Sequence, residues 1–145
     1  TDVDFEELWQ ENASVLMRAD HPLSQTDQPS WNDLAAARWI VADHPATIEG
    51  WSKMFLNQDL PVPTISIRTS SVQLVKGCLL QDDYVSLGDH STYRQEIASG
   101  QLISLDFGQP RYQRPAGIFR RCGVKLSANE RALWAALRST KDHPN

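Results

Sequence analysis

The stretch from Arg38 to Phe55 shows the clearest change in hydrophobic pattern. Trp39-Ile40-Val41-Ala42 is a short apolar run, the signature of a strand buried on both faces. Asp43-His44-Pro45-Ala46-Thr47 is a polar turn. Beyond it, Ile48, Trp51, Met54 and Phe55 fall at i, i+3, i+6 and i+7, which predicts an amphipathic helix from Ile48 to Asn57. A strand feeding a helix through a short turn is half of a βαβ unit. In open α/β sheets ligands sit beyond the carboxyl ends of strands, against helix N-termini. The turn therefore offers backbone N–H groups, the Thr47 hydroxyl and the His44 imidazole as ligand contacts. The plainer reading is that Thr47 only caps the helix.

The same alternation continues on both sides. Residues 5–10 are short and ambiguous, a strand at most, and 13–19 read as a buried strand. Asp20-His21-Pro22-Leu23 breaks it, and Ser24 to Pro29 is a loop of turn formers. Ser30 N-caps a short helix, with Asp33 at its third position to meet free N–H groups. After the central unit, Thr64–Arg68 alternates as a strand. Ser70 or Ser71 opens a helix over Val72–Leu80. Tyr84–Leu87 is a strand, 92–99 a polar helix closed by Gly100, and Leu102–Leu105 a strand. Gly108–Pro115 is a polar linker, Ala116–Arg121 the last strand, and Ser127 with Glu130 a capping box for a final helix to Ser139. Strands alternate with single helices. That order predicts an α/β fold with a mostly parallel sheet and helices on both faces.

Charge and composition narrow the chemistry. The 145 residues hold 14 Lys and Arg against 18 Asp and Glu, a net charge of −4, which disfavours a nucleic-acid-binding surface. No apolar run approaches the roughly 18 residues of a membrane span. The first residues show neither a basic n-region nor an apolar h-region, so cytoplasmic localisation is expected. The chain begins without Met, as a processed product or a fragment does. Cys78 and Cys122 are far apart and belong to no CxxC or Cys/His cluster, so buried, inert thiols are expected.

No catalytic signature is present: no GxSxG, GxxxxGK[ST], GxGxxG or HExxH. The four histidines, 21, 44, 90 and 143, are scattered. His44 beside Asp43 could form an acid–base pair, though neighbours on a turn usually point apart. Asp82 and Asp83 lack a third ligand nearby and read as a solvated turn. No cofactor or metal is expected.

Five segments in order resemble the effector-binding domain of LysR-type transcriptional regulators. LWQENASVLMRADHPLSQ resembles that family's stretch ending in "dHPLa". WNDLAAARWIV resembles "l.dLa..pwI". TSSVQLVKGCLLQDDYVSLGD resembles its strand, helix and "G.Gi.llP" segment. ASGQLISLDF resembles "l..G.Lv.l", and PAGIFRRCGVKLSANERALWAALRS resembles "P.gli.R....ls.aa..l...lr". Three positions depart from the pattern. Leu80-Gln81-Asp82-Asp83 replaces a glycine-rich turn, Asp89 stands at the proline position, and Arg68 stands where the family often has an acid.

The resemblance implies a periplasmic-binding-protein-like fold of two α/β subdomains joined by crossovers near Leu16–Asp20 and Gln109–Ala116. Residues 19–110 would form the second subdomain, and 1–18 with 111–145 a remnant of the first. The DNA-binding domain and the first part of the effector domain would be absent. The resemblance further implies a small, anionic effector bound between subdomains. By position, its contacts here would be His44, Pro45, Thr47 and Ile48, with Thr69 and Ser70 as second choices. Homo-oligomerisation would use Leu74, Val75 and Leu79. DNA would be reached only through the missing domain, and no membrane is involved. The implied chain is not an enzyme. The rival readings are a small α/β enzyme with His44 as acid–base in the same cleft, and a stand-alone solute-binding protein.

Overall fold

The computed structural model describes residues 2–26, 29–105 and 112–139. Residues 108–111 of the linker expected at 108–115, part of the second expected crossover, His143 and the tail lie outside the described residues; the rest of that linker, 112–115, is instead strand. The chain divides into two compact units, Asn12–Tyr112 and Thr1–Glu11 with Gln113–Asn145. β1 (Val3–Arg18) opens the chain, so the two stretches expected at 5–10 and 13–19 are one long strand.

The larger unit contains a 3-10 turn (Pro22–Gln25), α1 (Trp31–Ala36), β2 (Arg38–Ala42) and α2 (Pro45–Leu56). These are followed by β3 (Ile65–Thr69), α3 (Val72–Gln81), β4 (Tyr84–Asp89), α4 (Arg94–Ala98) and β5 (Leu102–Leu105). Strand order is β3-β2-β4-β1-β5. β2 pairs in parallel with β3 and β4, while the second half of β1 runs antiparallel to β4 and β5. The sheet is thus mixed rather than mostly parallel.

Consecutive residues of a strand point to opposite faces, and here both faces are covered. Val15, Met17, Trp39, Val41, Val85 and Leu87 face one core with Leu34 of α1 and Trp51, Met54 and Phe55 of α2. Leu16, Ile40 and Leu102 face the other with Val75 and Leu79 of α3 and with Tyr93. This explains the unbroken apolar runs in the sequence: a strand buried on two faces has no polar side to show.

The first core is organised by aromatic rings. Trp39, Trp51 and Phe55 lie with centroids 5.4–5.6 Å apart in edge-on geometry, and Trp31 meets Phe55 at 5.9 Å. Edge-to-face contact sets positive ring edges against negative faces. The Trp39 indole N–H donates to the Leu34 carbonyl at 2.8 Å, tying β2 to α1. α1 starts on a capping box: the Ser30 hydroxyl accepts from the Asp33 N–H at 3.2 Å, and Asp33 accepts from the Ser30 N–H at 2.7 Å. Gly100, at φ 72°, ends α4 in the left-handed conformation expected of it.

In the smaller unit, β6 (Tyr112–Arg121) pairs with the first half of β1, and α5 (Ala128–Ser139) follows. Gly117 permits that pairing, because a Cβ there would lie 2.1 Å from the Glu6 carbonyl oxygen. The Ser127–Glu130 capping box forms as expected, at 2.7 and 3.3 Å. Cys122 is exposed, not buried as expected, and its thiol donates to Asp4 at 3.2 Å. Cys78 is half-buried. No helix among the described residues is long and apolar enough to cross a membrane.

Phe55 is fully buried where three other rings meet. Phe55→Ala is expected to cost about 3–5 kcal/mol of unfolding free energy in a urea titration. A loss below about 1 kcal/mol would show that the aromatic cluster does not hold α2 to the sheet.

Candidate functional site

β2 and β3 end side by side. Ala42 is in register with Thr69, and the Asp43 N–H donates to the Thr69 carbonyl at 3.1 Å. The Arg68 guanidinium donates to Asp43 Oδ1 at 2.7 Å across the same edge. Asp43, considered from sequence as a partner for His44, is therefore committed to Arg68. The departure at position 68 has a local consequence: a cation there pins the turn after β2. Sequence reasoning missed this lock because it joins residues 25 apart. The only available signal was the unusual cation itself.

α2 begins at Pro45, three residues before the predicted start. Proline suits the first helical position, since its fixed φ is already helical and the N–H it lacks would find no intrahelical acceptor. His44 becomes the N-cap with extended backbone (φ −138°, ψ 131°) and makes no side-chain cap bond. It is exposed. Thr47 thus sits inside the first turn and is not the cap. It is half-buried, and among the described residues its hydroxyl meets no partner. Ile48 is half-buried against the core beneath α2, which limits how much of it faces outward.

At the next strand end the hydroxyls divide. Thr69 Oγ1 accepts from the Ser71 N–H at 3.1 Å, and Ser71 Oγ caps α3 by accepting from the Leu74 N–H at 3.3 Å. Ser71, not Ser70, is the cap, and Ser70 remains exposed. His44, Pro45, Thr47, Thr69 and Ser70 thus share the carboxyl edge of two adjacent parallel strands.

The expected oligomer residues split by burial. Val75 and Leu79 are 5% and 0% exposed and belong to the core, so they are unavailable to a partner. Leu74 is 48% exposed, and Val72 and Leu80 of α3 are also exposed. Residues 75 and 79 are four apart and share the face turned to the sheet, while 74 is rotated away from it. His90 is turned to Ser104, with Nε2 2.7 Å from the hydroxyl. Asp82 pairs with Arg38 and Asp83 with Arg18, so both acids serve ion pairs at the start of β4.

A cleft of about 420 Å³ lies in the smaller unit, lined by Asp4, Phe5, Glu6, Arg120, Leu126, Arg131, Trp134 and Arg138. None of these was a predicted site residue. Its arginines already have partners. Arg138 grips both Glu6 oxygens at 2.6 Å, Arg120 meets Asp4 at 3.2 Å, and Arg131 donates to the Leu126 carbonyl. Trp134 also donates to Glu6, at 2.9 Å.

The fold is a periplasmic-binding-protein-like α/β fold, shared with solved regulatory and effector domains. Residues 1–142 match the LysR substrate binding domain, and the chain belongs to that family. It is 29% identical over 140 residues to the HTH-type transcriptional regulator GalR of Pseudomonas putida, covering 95% of this chain and 35% of that protein. The chain thus spans about a third of the length of that regulator. Its backbone is similar to the regulatory domain of Synechocystis CcmR solved with 2-PG, at TM-score 0.83 and 18% identity, covering 98% of this chain and 68% of that one. It is also similar to the effector binding domain of QuiR solved with shikimate, at TM-score 0.78 and 19% identity, covering 98% and 67%.

The Asp43–Arg68 pair is exposed on both sides, at 54% and 56%. A double-mutant cycle with Asp43→Ala and Arg68→Ala is expected to give a coupling of about 0.2–1 kcal/mol that shrinks in high salt. A coupling several times larger would mean that the pair holds up more than its turn.

Proposed function

We propose that this chain is the effector-sensing part of a LysR-type transcriptional regulator. It would bind a small anionic metabolite at the strand-end turn formed by His44, Pro45, Thr47 and Ile48, with Thr69 and Ser70 beside it. The observation that carries the reading is the match of residues 1–142 to the family. The local chemistry supports the position. Asp43, next to His44 in the chain, is paired with Arg68, while the His44 imidazole and the Thr47 hydroxyl stand at the positive end of α2. Solved relatives carry 2-PG or shikimate. Ligand binding would shift a conformational equilibrium read by DNA-binding elements carried elsewhere, in a cytoplasmic homo-oligomer. Exposed Leu74, with Val72 and Leu80, is the α3 surface such an oligomer could use. The enzyme reading loses its acid–base pair, since Asp43 serves Arg68.

We further propose that Asn12–Tyr112 is the second effector subdomain and that the smaller unit is part of the first. Of the described side chains of the smaller unit, Leu8 alone is fully buried, and Phe5, Phe119, Val124 and Leu133 are exposed. Two strands and a helix without a core are marginal alone. This reading expects the amides of α5 to exchange with solvent faster than those of α2. Equal protection in the 145-residue chain would contradict it.

The effector reading is tested by thermal shift against small carboxylates, phosphorylated acids, sugars and inorganic anions. At a hundred times its dissociation constant, a ligand adds about 2.7 kcal/mol to stability. The shift should shrink in Thr47→Ala and in His44→Ala and persist in Arg131→Ala. A shift lost only in Arg131→Ala would move the site to the cleft of the smaller unit.

A further inference from the structure

We propose that the segment leaving β1, residues 18–25, is a proton-operated latch worked by His21. His21 is only 4% exposed and N-caps the 3-10 turn Pro22–Gln25. Its Nδ1 accepts the Leu23 N–H at 3.0 Å. An imidazole nitrogen can accept only while it carries no proton, so this bond requires the neutral ring with its hydrogen on Nε2. A proton on Nδ1 sets two N–H groups against each other. The turn then loses its cap. The bonds built on that turn weaken with it: Ser24 Oγ to the Ala19 and His21 carbonyls at 2.7 Å each, and the Ser24 N–H to the His21 carbonyl at 2.9 Å.

The charges packed around the ring decide how readily the latch opens. From β1 come Arg18 and, just beyond it, Asp20, paired with each other. From the α3–β4 connection come Asp82 and Asp83, and from β2 comes Arg38, which lies over the Tyr84 ring at 4.2 Å. Arg18 reaches Asp83 at 2.6 Å, and Arg38 pairs with Asp82. All three acids thus already have a guanidinium partner, so an imidazolium would have to share a carboxylate. Burial first, and then Arg18 and Arg38, hold His21 below the ordinary histidine range, against an opposing pull from Asp83. The fold therefore prefers the neutral ring. Its contribution is complete above the unfolded value of about 6.5 and is lost as pH falls below it toward the depressed folded value. Hydrogen bonds from Arg18 and from the Asp83 backbone hold Asp20 and Asp82 low, so these two acids stay ionised through that window.

The test follows imidazole nitrogens by long-range proton–nitrogen correlation and amide exchange from pH 8 to pH 5. The whole 145-residue chain is used, beside His21→Asn. Asparagine's side-chain oxygen can accept the Leu23 N–H but takes up no proton in this range. The neutral Nε2–H form of His21 is expected at pH 8. Between the unfolded value of about 6.5 and the titration of His21 in the folded chain, Leu23 protection, corrected for intrinsic exchange, should fall by on the order of tenfold per pH unit and level off below that titration. His21→Asn should show no such fall. Leu23 protection that ignores the His21 titration overturns the proposal, as does an equal fall in the variant. Should His21→Asn fail to fold, the wild-type tautomer and the coincidence of the two titrations still decide.

Discussion

The larger unit depends on the packing of Trp51 and Phe55 against Trp39. These rings fix where α2 lies, and α2 fixes the turn that precedes it. With Trp51 and Phe55 seated on the sheet, the chain from Ala42 to Ile48 must reverse within a few residues, and Pro45 is preset for that reversal. The strand-end site is therefore a by-product of core packing. His44 and Pro45 stay exposed and Thr47 half-buried because the apolar positions of α2 are already taken up by the core.

Electrostatics then sets the charge that edge presents. A turn bearing Asp43 would repel anions if the carboxylate were unopposed. Arg68, on the adjacent strand, cancels that charge and draws the two strand ends together. Thr69 and Ser71 spend their hydroxyls on their own backbone. Thr47 and Ser70 do not, and they differ from their neighbours only in where the backbone places them.

The two units are held by different forces. Asn12–Tyr112 buries aromatic and aliphatic side chains on both faces of its sheet. The smaller unit relies on charge: Glu6 accepts from both Arg138 and Trp134, and Asp4 accepts from Arg120 and Cys122. Exposed ion pairs contribute little each, and Leu133 and Phe119 remain in solvent.

The sequence by itself determined the elements, their order and the α/β class. Those follow from local periodicity and capping chemistry, which act over a few residues: the apolar run 39–42, the 3.6-residue spacing of Trp51 and Phe55, and the Ser30 and Ser127 boxes. It also carried the family likeness across most of the chain. Only the tertiary structure decided the antiparallel insertion of β1, since direction within a sheet depends on partners far away in sequence. It likewise assigned Val75 and Leu79 to the core while leaving Leu74 outside, paired Asp43 with Arg68, and buried His21 among charged neighbours. Each of those outcomes depends on residues brought together through space, and no local pattern encodes such a meeting.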